Sequence, residues 1–314
     1  MDRELWQSIV VVIRRAATRV GWNGGRRRPV YPNWLIVAMY VWSVWHDRTL
    51  CWACRRGSYG SLFRPRELPS VSQFSRRVRS ADCQRILQLA HDAFAQRRCI
   101  AHLAIVDGKA LPVSPVSGDR GARRGKISGA FARGYKLHAL INEACRIVVW
   151  SVTGLNGDEK TVARVALLPH APPMSVGAVV LADSNYDSAP LHRDAAGQRG
   201  ATGSCAGAWL VHPLRGQRRA RGRFRERELR QMPASRRALV QAWEQRPALL
   251  QMAMRWRQQV ERVFAVLTCT GGGLAVLPAW VRRLERVRRW VGTKIILYNA
   301  RLTVRQQLRA VAIT

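Results

Sequence analysis

The sequence is poor in acidic residues and in lysine. Only 19 of its 314 residues are Asp or Glu, against 53 Lys and Arg, which gives a formal net charge of +34. So large a surplus repels itself unless a polyanion neutralises it, and nucleic acid is the simplest such partner. Five of the basic residues are lysine and 48 are arginine. Arginine suits phosphate and guanine edges, although a GC-rich genome would produce the same bias.

Long apolar runs and a regular cysteine pattern are also lacking. The longest strongly apolar run, residues 34–45, is too short to cross a bilayer, so we expect no membrane association. Two early acids and the pair Arg14 and Arg15 argue against a signal peptide. Seven scattered cysteines suggest no disulfide framework and fit a reducing compartment. Cys51 and Cys54 form a CxxC without a second ligand pair, which favours packing over metal binding.

The first 98 residues are predicted to form an all-helical domain. Ser70 is a suitable cap for a short helix that ends near Arg79 and places Phe74 and Val78 on its inner face. A short helix, a turn and this basic helix suggest a DNA reader of the helix-turn-helix type. The outward residues that would reach base edges are Gln73, Arg76 and Arg77. The alternative is an ordinary surface helix with solvated charges.

The pattern changes at residue 100, where strand-like segments begin to alternate with helices. The segments IAHLAIVDG, YKLHALINE, CRIVVWSVTG, VGAVVLAD and GAWLVHP are apolar and short. A β meander followed by alternating helices and strands predicts an α/β layer with a mixed sheet. The Gly- and Ser-rich stretch after the first of these strands favours a hairpin or a mobile loop.

The last third of the chain is rich in arginine. Residues 215–237 contain ten arginines and two glutamates and are predicted to be a loop or a frayed helix. Arg218 and Arg219 are its candidate DNA contacts. Residues 238–269 are predicted to be helical, and residues 279–308 to form a final basic pair of helices.

The placement of the few acids is informative. Asp107 and Asp183 each end a predicted core strand, where ligands and catalytic groups concentrate in α/β sheets. Their oxygen ligands suit Mg²⁺ or Mn²⁺. Glu261, on a later helix, could close such a site, and three carboxylates can hold two metal ions for in-line phosphoryl displacement. A turn-capping role is the alternative for each aspartate.

The ordered set IVDGKAL, GYKLHALIN, VLADSNYDSAPL, WLVHPLRGQRR and RWRQQVERVFAVL resembles insertion-sequence transposases of the DDE class, of the fourth and fifth insertion-sequence families. The resemblance covers residues 100–305 and extends to the helical N-terminal region. It implies a ribonuclease-H-like catalytic domain over residues 99–314, with an Arg-rich insertion near 213–240. It also implies a helical DNA-binding domain over residues 1–98.

The resemblance places the catalytic, metal-binding triad on Asp107, Asp183 and Glu261. Of the family signature around the last acid, Arg257 and Glu261 match, whereas Met254 and Thr268 replace the Tyr and Lys that contact transposon-end DNA. The implied activity is Mg²⁺-dependent cleavage of transposon ends, with Mn²⁺ as a substitute, followed by strand transfer.

The resemblance also implies partners and a cellular location. The partners are the inverted repeats and the target DNA, bound by a homodimer, and the location is the nucleoid of a bacterial cytoplasm. The alternatives are a decayed protein that still binds DNA and a nuclease of the same fold.

Other residues compete for roles at the site. Asp158 is the best alternative third ligand, and it opens a helix together with Glu159, where acids suit the helix dipole. Asp119 is expected in a turn, Asp187 as a helix cap, and His138 as a structural histidine. Lys136 and Arg133 could reach a substrate phosphate, with solvated charge as the alternative.

Overall fold

The computed structural model describes residues 2–21, 30–96, 100, 102–127, 129–197, 207–214, 230–269 and 277–311. The helices are α1 (Asp2–Val20), α2 (Asn33–Trp45), α3 (Leu50–Ala53), α4 (Val71–Val78), α5 (Ala81–Ala95), α6 (Glu159–Val162), α7 (Ala189–Ala196), α8 (Ala234–Gln245), α9 (Pro247–Arg257), α10 (Gln259–Cys269) and α11 (Leu284–Val311). The strands are β1 (Leu103–Pro112), β2 (Arg123–Ile127), β3 (Ala130–Asn142), β4 (Ile147–Gly154), β5 (Val179–Leu181) and β6 (Trp209–Val211).

The chain forms two compact units. The first, here called the helical unit, joins residues 1–96 to residues 266–314, and the second, the sheet unit, is residues 97–265. The first boundary lies two residues from the predicted one. The sequence predicts the C-terminal region to be part of the catalytic domain, but residues 266–314 belong to the helical unit because α11 packs against α1, α2 and α5.

The core of the helical unit follows from helical periodicity. On α1 the buried residues recur every three or four positions, whereas α2 is buried on almost every side. Aromatic rings from Trp6, Trp42 and Phe63 pack within 6 Å of one another. Within α11, Lys294 is buried and pairs with Asp47 at 2.6 Å. A buried ammonium needs such a partner, since burial alone lowers its pKa.

Two predictions for the helical unit differ from the structure. The final pair of helices is one helix, α11, since nothing in residues 284–311 breaks the backbone hydrogen bonding. The connection between α3 and α4 runs over residues 54–70 and contains a 3₁₀ turn. A helix-turn-helix joins its helices by three or four residues, so these two helices do not form one.

The sheet unit contains the predicted mixed sheet. Strands β1 and β3 are antiparallel, as are β3 and β4, whereas β5 pairs in parallel with both β1 and β6. The long strand β3 pairs along one edge with β1, and along the other with β2 and then with β4. The hairpin alternative is therefore confirmed for the stretch after β1. Helices α6 and α7 make the connections to the parallel strands.

None of the helices in the described ranges combines the length and the apolarity needed to span a membrane.

Candidate functional site

Asp107 lies on β1 and Asp183 just beyond the neighbouring parallel strand β5, at matching positions along the two segments. Ile105 is paired with Leu181, so both aspartates come two residues further along their strands. Asp183 follows β5 as predicted, but Asp107 does not end a strand, because β1 continues to Pro112. The reason is the pairing with β3, which keeps β1 extended over its whole length.

The carboxylate of Asp107 is only 16% exposed and lies among other charges. Its Oδ1 accepts a hydrogen bond from the Gly108 amide at 2.7 Å, and its Oδ2 pairs with Nη1 of Arg257 at 3.1 Å. Burial nevertheless raises the pKa of Asp107 to about 6, and the nearby carboxylates of Asp183 and Glu159 act in the same direction. Asp107 therefore lies in a crowded acidic group, which a bound cation would stabilise.

This raised pKa makes the stability of the protein depend on pH. Because the folded pKa exceeds the unfolded value, the ionised carboxylate costs stability above about pH 6, and the cost disappears as the pH falls towards 4. Asp107→Asn should therefore raise the free energy of unfolding by up to about 3 kcal/mol near pH 7.5, and by almost nothing near pH 4. Chemical denaturation at the two pH values measures the difference.

The matched control is Asp194→Asn, which removes a half-exposed carboxylate paired with Arg164. It should give no gain near pH 7.5. An Asp107→Asn protein that is less stable than the wild type near pH 7.5 would show that the pairing with Arg257 outweighs the cost of burial.

Asp183 also forms local hydrogen bonds. Its Oδ1 accepts from the Asn185 amide at 2.8 Å, and its Oδ2 accepts from Nδ2 of Asn185 at 3.1 Å. It thus caps the 3₁₀ turn of residues 184–186. The turn-capping alternative from the sequence is therefore present, and the same hydrogen bonds fix the orientation of the carboxylate.

Glu261 lies on the first turn of α10, after a break between helices at Gln258. Its side chain is 67% exposed, and its Oε1 is 3.5 Å from Nη2 of Arg257. Arg257 therefore joins Glu261 to Asp107 through one guanidinium group. The three carboxylates of the predicted triad do not converge within 4.8 Å of one another, because the guanidinium occupies the position between two of them.

Glu159 is the residue of this site that the sequence analysis did not place there. Its Oε1 pairs with Nζ of Lys136 at 3.0 Å, and its side chain is only 18% exposed. A Cβ atom at Gly108 would lie 2.9 Å from the same Oε1. The glycine after Asp107 therefore permits Glu159 to approach. In the sequence, the only signal of this approach was an Asp-Gly pair within a strand, followed later in the chain by an Asp-Glu pair.

Asp158, the alternative third ligand, serves as the N-cap of α6. Its Oδ2 accepts hydrogen bonds from the amide and the hydroxyl of Thr161, both at 2.8 Å. The hydrogen bond from the amide is the main reason why the pKa of Asp158 is lowered. Its carboxylate is thus occupied by the helix end, and Glu159 is the member of the pair beside Asp107.

An open polar depression of about 610 Å³ adjoins these acids. Three of the five lysines in the chain line it, namely Lys126, Lys136 and Lys160. Asp158 and Glu159 also line it, together with three glycines, Leu155, Asn156 and Asn185. Most basic residues of the chain are arginine, so three lysines in one depression are unusual. Their compact ammonium charges beside carboxylates fit a phosphate-bearing ligand.

Two other candidates in the sheet unit have structural partners. Nη2 of Arg133 donates to the Asp119 carbonyl at 2.8 Å, and Asp119 itself is buried and accepts from the Tyr135 hydroxyl. His138 is fully buried, its Nε2 bonds Oγ1 of Thr153 at 2.9 Å, and burial lowers its pKa to about 4. A turn role for Asp119 and a structural role for His138 fit these contacts.

The candidate DNA-reading residues on α4 differ in availability. Gln73 completes a capping box with Ser70, and Nη2 of Arg77 donates to the Tyr31 carbonyl and to Oδ1 of Asn33 at 2.8 and 2.7 Å. Arg76 is exposed. Arg218 and Arg219 lie outside the described residues.

A second cluster of titratable side chains lies near Asp183. Asp187 was expected to cap a helix, but the N-cap of α7 is Ser188. Asp187 instead pairs with Arg236 through both oxygens, at 2.8 and 3.1 Å. Its Oδ1 is 3.8 Å from Nε2 of His212, which in turn lies 2.9 Å from Nε2 of His192.

One protein-family model matches this chain. The family described as transposase DDE domain matches residues 101–300. No curated protein matches the chain. One solved structure that matches is a piggyBac transposase synaptic complex with hairpin DNA, at 10% identity and a TM-score of 0.36, over 74% of this chain. The chain spans about half the length of that protein, 52%.

Proposed function

Since this chain belongs to the transposase DDE domain family, we propose that it cuts DNA at the ends of a mobile element and joins the freed ends to target DNA. The observation that carries the proposal is the mostly buried carboxylate of Asp107, which occupies the strand position matching Asp183. Its pKa is raised by burial and by the neighbouring acids. Such a group attracts a hard divalent cation. The Lys-lined depression beside it is suited to the phosphates of a DNA strand.

The residues present fit Mg²⁺ in their chemistry, because all the donors are carboxylate oxygens. We propose Asp107 and Asp183 as its ligands, with Glu261 joining them once Arg257 leaves its position between Asp107 and Glu261. When bound, Mg²⁺ or Mn²⁺ would neutralise charge on the reacting phosphate and favour a nucleophilic oxygen.

The side chains of the sheet unit would then orient the DNA strand. Lys126 and Lys160 contact flanking phosphates, while Lys136 is held by Glu159 and positions that acid beside Asp107. Arg257, released from Asp107, is free to bind a phosphate, as is Arg133 if it leaves the loop carbonyls. We propose the Arg-rich segment, with Arg218 and Arg219, as a further DNA contact because of its charge.

The fold and the assembly belong to the same proposal. Three antiparallel strands that are adjacent in the sheet, β1, β3 and β4, are followed by two strands parallel to β1, which supports a ribonuclease-H-like core. The helical unit would bind duplex DNA, chiefly through Arg76, with Gln73 and Arg77 holding α4 in place. Two copies would pair the two inverted repeats in the nucleoid of a bacterial cytoplasm.

The test is incubation of the full chain with a labelled duplex carrying the inverted repeats that flank its gene. With Mg²⁺ or Mn²⁺ we expect nicks at the element boundary and, with target DNA, joined products. A chelator should abolish both products while leaving DNA binding. Nicks without joined products would indicate a nuclease. Binding without nicks would indicate a decayed protein. The position of Arg257 between two acids, and Met254 and Thr268 in place of the Tyr and Lys of the family signature, would then explain the loss of activity.

A further inference from the structure

We propose that Asp187, His192 and His212 form a second metal site, selective for Zn²⁺ and separate from the carboxylates of the proposed catalytic site. Within the described ranges, no other three His, Cys, Asp or Glu side chains bring their ligand atoms within 4.8 Å of one another. Both histidines are fully buried, and the Asp187 side chain is only 3% exposed.

The hydrogen bonds fix the state of one imidazole. Nδ1 of His212 lies 3.0 Å from the carbonyl oxygen of Pro213. Because a carbonyl only accepts, the proton is on Nδ1 and the lone pair of Nε2 is free to face the other two side chains. A ligating histidine usually donates its second ring nitrogen to a carbonyl or carboxylate in this way, which orients the ring.

The second imidazole, His192, would have to change its tautomer to bind a metal ion. Since Nε2 of His212 carries the lone pair, the 2.9 Å contact requires the proton on Nε2 of His192. Nδ1 of His192 is buried and has no hydrogen-bond partner. Metal binding at Nε2 would move that proton to Nδ1 without any net release. Burial lowers the pKa of His192 to about 3 and also lowers that of His212, so both rings are neutral, as ligands must be.

The spacing of the three ligand atoms suits a tetrahedral ion. Ligands at ordinary zinc–nitrogen and zinc–oxygen distances lie ~3.3 Å apart in a tetrahedral site. The Nε2 atoms of the two imidazoles are 2.9 Å apart, and Nε2 of His212 is 3.8 Å from Oδ1 of Asp187. One distance is shorter and the other longer than this value, each by about 0.5 Å. Two imidazoles and one carboxylate favour zinc over magnesium, which prefers oxygen donors.

Arg236 supports the carboxylate without closing the site. Its Nε and Nη2 donate to the two oxygens of Asp187 from one side. Each carboxylate oxygen has two lone pairs, so Oδ1 still faces His212. Hydrogen-bonded carboxylates of this kind are usual among metal ligands. The positive charge of Arg236 would weaken the site, however, so its removal should strengthen metal binding.

The position of the cluster suggests what the ion would do. Asp187 lies four residues after Asp183, His192 lies on α7, and His212 directly follows β6. An ion bound by all three would tie the turn that carries Asp183 to the end of the neighbouring strand. The buried site would therefore stabilise the turn that carries Asp183, one of the proposed catalytic carboxylates.

The experiment measures zinc in the full-length chain without DNA. Wild-type protein purified with zinc and then dialysed should contain about one zinc per chain. Its melting temperature should rise by roughly 5 °C when zinc is added to metal-free protein. Co²⁺ in place of zinc should give visible absorption bands of a tetrahedral site. A zinc content below about a tenth of an equivalent, with no change in melting temperature, would overturn the proposal.

Variants separate a metal site from a hydrogen-bond network. His192→Gln and His212→Gln should lose the zinc, whereas His102→Gln, which removes an exposed histidine of the same unit, should retain it. Arg236→Gln should bind zinc at least as tightly as wild type, and loss of zinc in this variant while its melting curve remains cooperative would count against the proposal. All these measurements are independent of nicking with Mg²⁺, so this proposal and the proposed function can fail separately.

Discussion

Replacing Asp107 by Asn should reduce the rate of metal-dependent nicking at least about 1,000-fold while changing DNA affinity little. The substitution removes the charge that holds the cation but keeps the shape of the side chain and its hydrogen bond to the Gly108 amide. Asp183→Asn and Glu261→Gln should have the same effect. The measurement is single-turnover nicking of an end-labelled duplex, with gel shifts in a chelator to confirm binding.

Asp194→Asn is the matched control for these variants, because it removes a carboxylate of the same unit that pairs with Arg164 and does not line the depression. Its nicking rate should stay within about threefold of wild type. Near-normal nicking by Asp107→Asn or Asp183→Asn would exclude that residue as a ligand and contradict the proposed site.

The identity of the third carboxylate is the sharpest part of this prediction. Glu261 is exposed and bound to Arg257, whereas Glu159 is mostly buried beside Asp107. If Arg257 releases Glu261 when DNA and metal bind, Glu261→Gln loses nicking and Glu159→Gln keeps most of it. The reverse result would transfer the role to Glu159. Asp158→Ala should mainly weaken the cap of α6, by about 1 kcal/mol.

A double substitution in the Lys-lined depression should weaken DNA binding of any sequence. In Lys126→Gln with Lys160→Gln, two phosphate contacts are lost, so affinity should fall about tenfold or more near 0.1 M salt. The slope of the logarithm of affinity against the logarithm of salt should fall by about 2. Lys136 is left intact because its ammonium group pairs with Glu159. Titrations of one duplex at several salt concentrations give both quantities.

The control is Arg193→Gln with Arg246→Gln, two exposed arginines of the sheet unit that do not line the depression. It removes the same charge and should leave the slope within about 0.5 of wild type. Equal losses in the two double variants would mean that only total charge matters, and the depression would not be a phosphate site.

Substitution of Arg76 gives the contrasting result in the same titrations. Arg76→Ala should lower the preference for element ends over scrambled duplex by about tenfold, since one paired contact to a base is worth ~1–3 kcal/mol. Gln73→Ala should instead cost stability, because it removes half of a capping box. The full chain is needed, since α11 packs against three of the N-terminal helices. An unchanged preference in Arg76→Ala would remove α4 from sequence recognition.

The sequence by itself determined the class of the sheet and the candidate acids. Short apolar segments separated by turn residues predicted a β meander followed by strands that alternate with helices in a mixed sheet. This was possible because the apolar pattern of a buried strand is visible within a few neighbouring residues. Asp107 and Asp183 stood out since acids are rare in this chain and both follow apolar runs. The capped helix at Ser70 was also visible, because a capping box involves residues only three apart.

Only the tertiary structure decided which of these residues share a site. Pairing of β1 with β3 carried the strand past Asp107. The glycine after Asp107 let Glu159, 52 positions further along the chain, approach the backbone at this point. The bond from Arg257 to Asp107 joins residues 150 positions apart, and α11 joined the helical unit in the same way. Periodicity and spacing report neighbours within a few residues, whereas these contacts depend on strand register and packing, which bring distant residues together only in the folded chain.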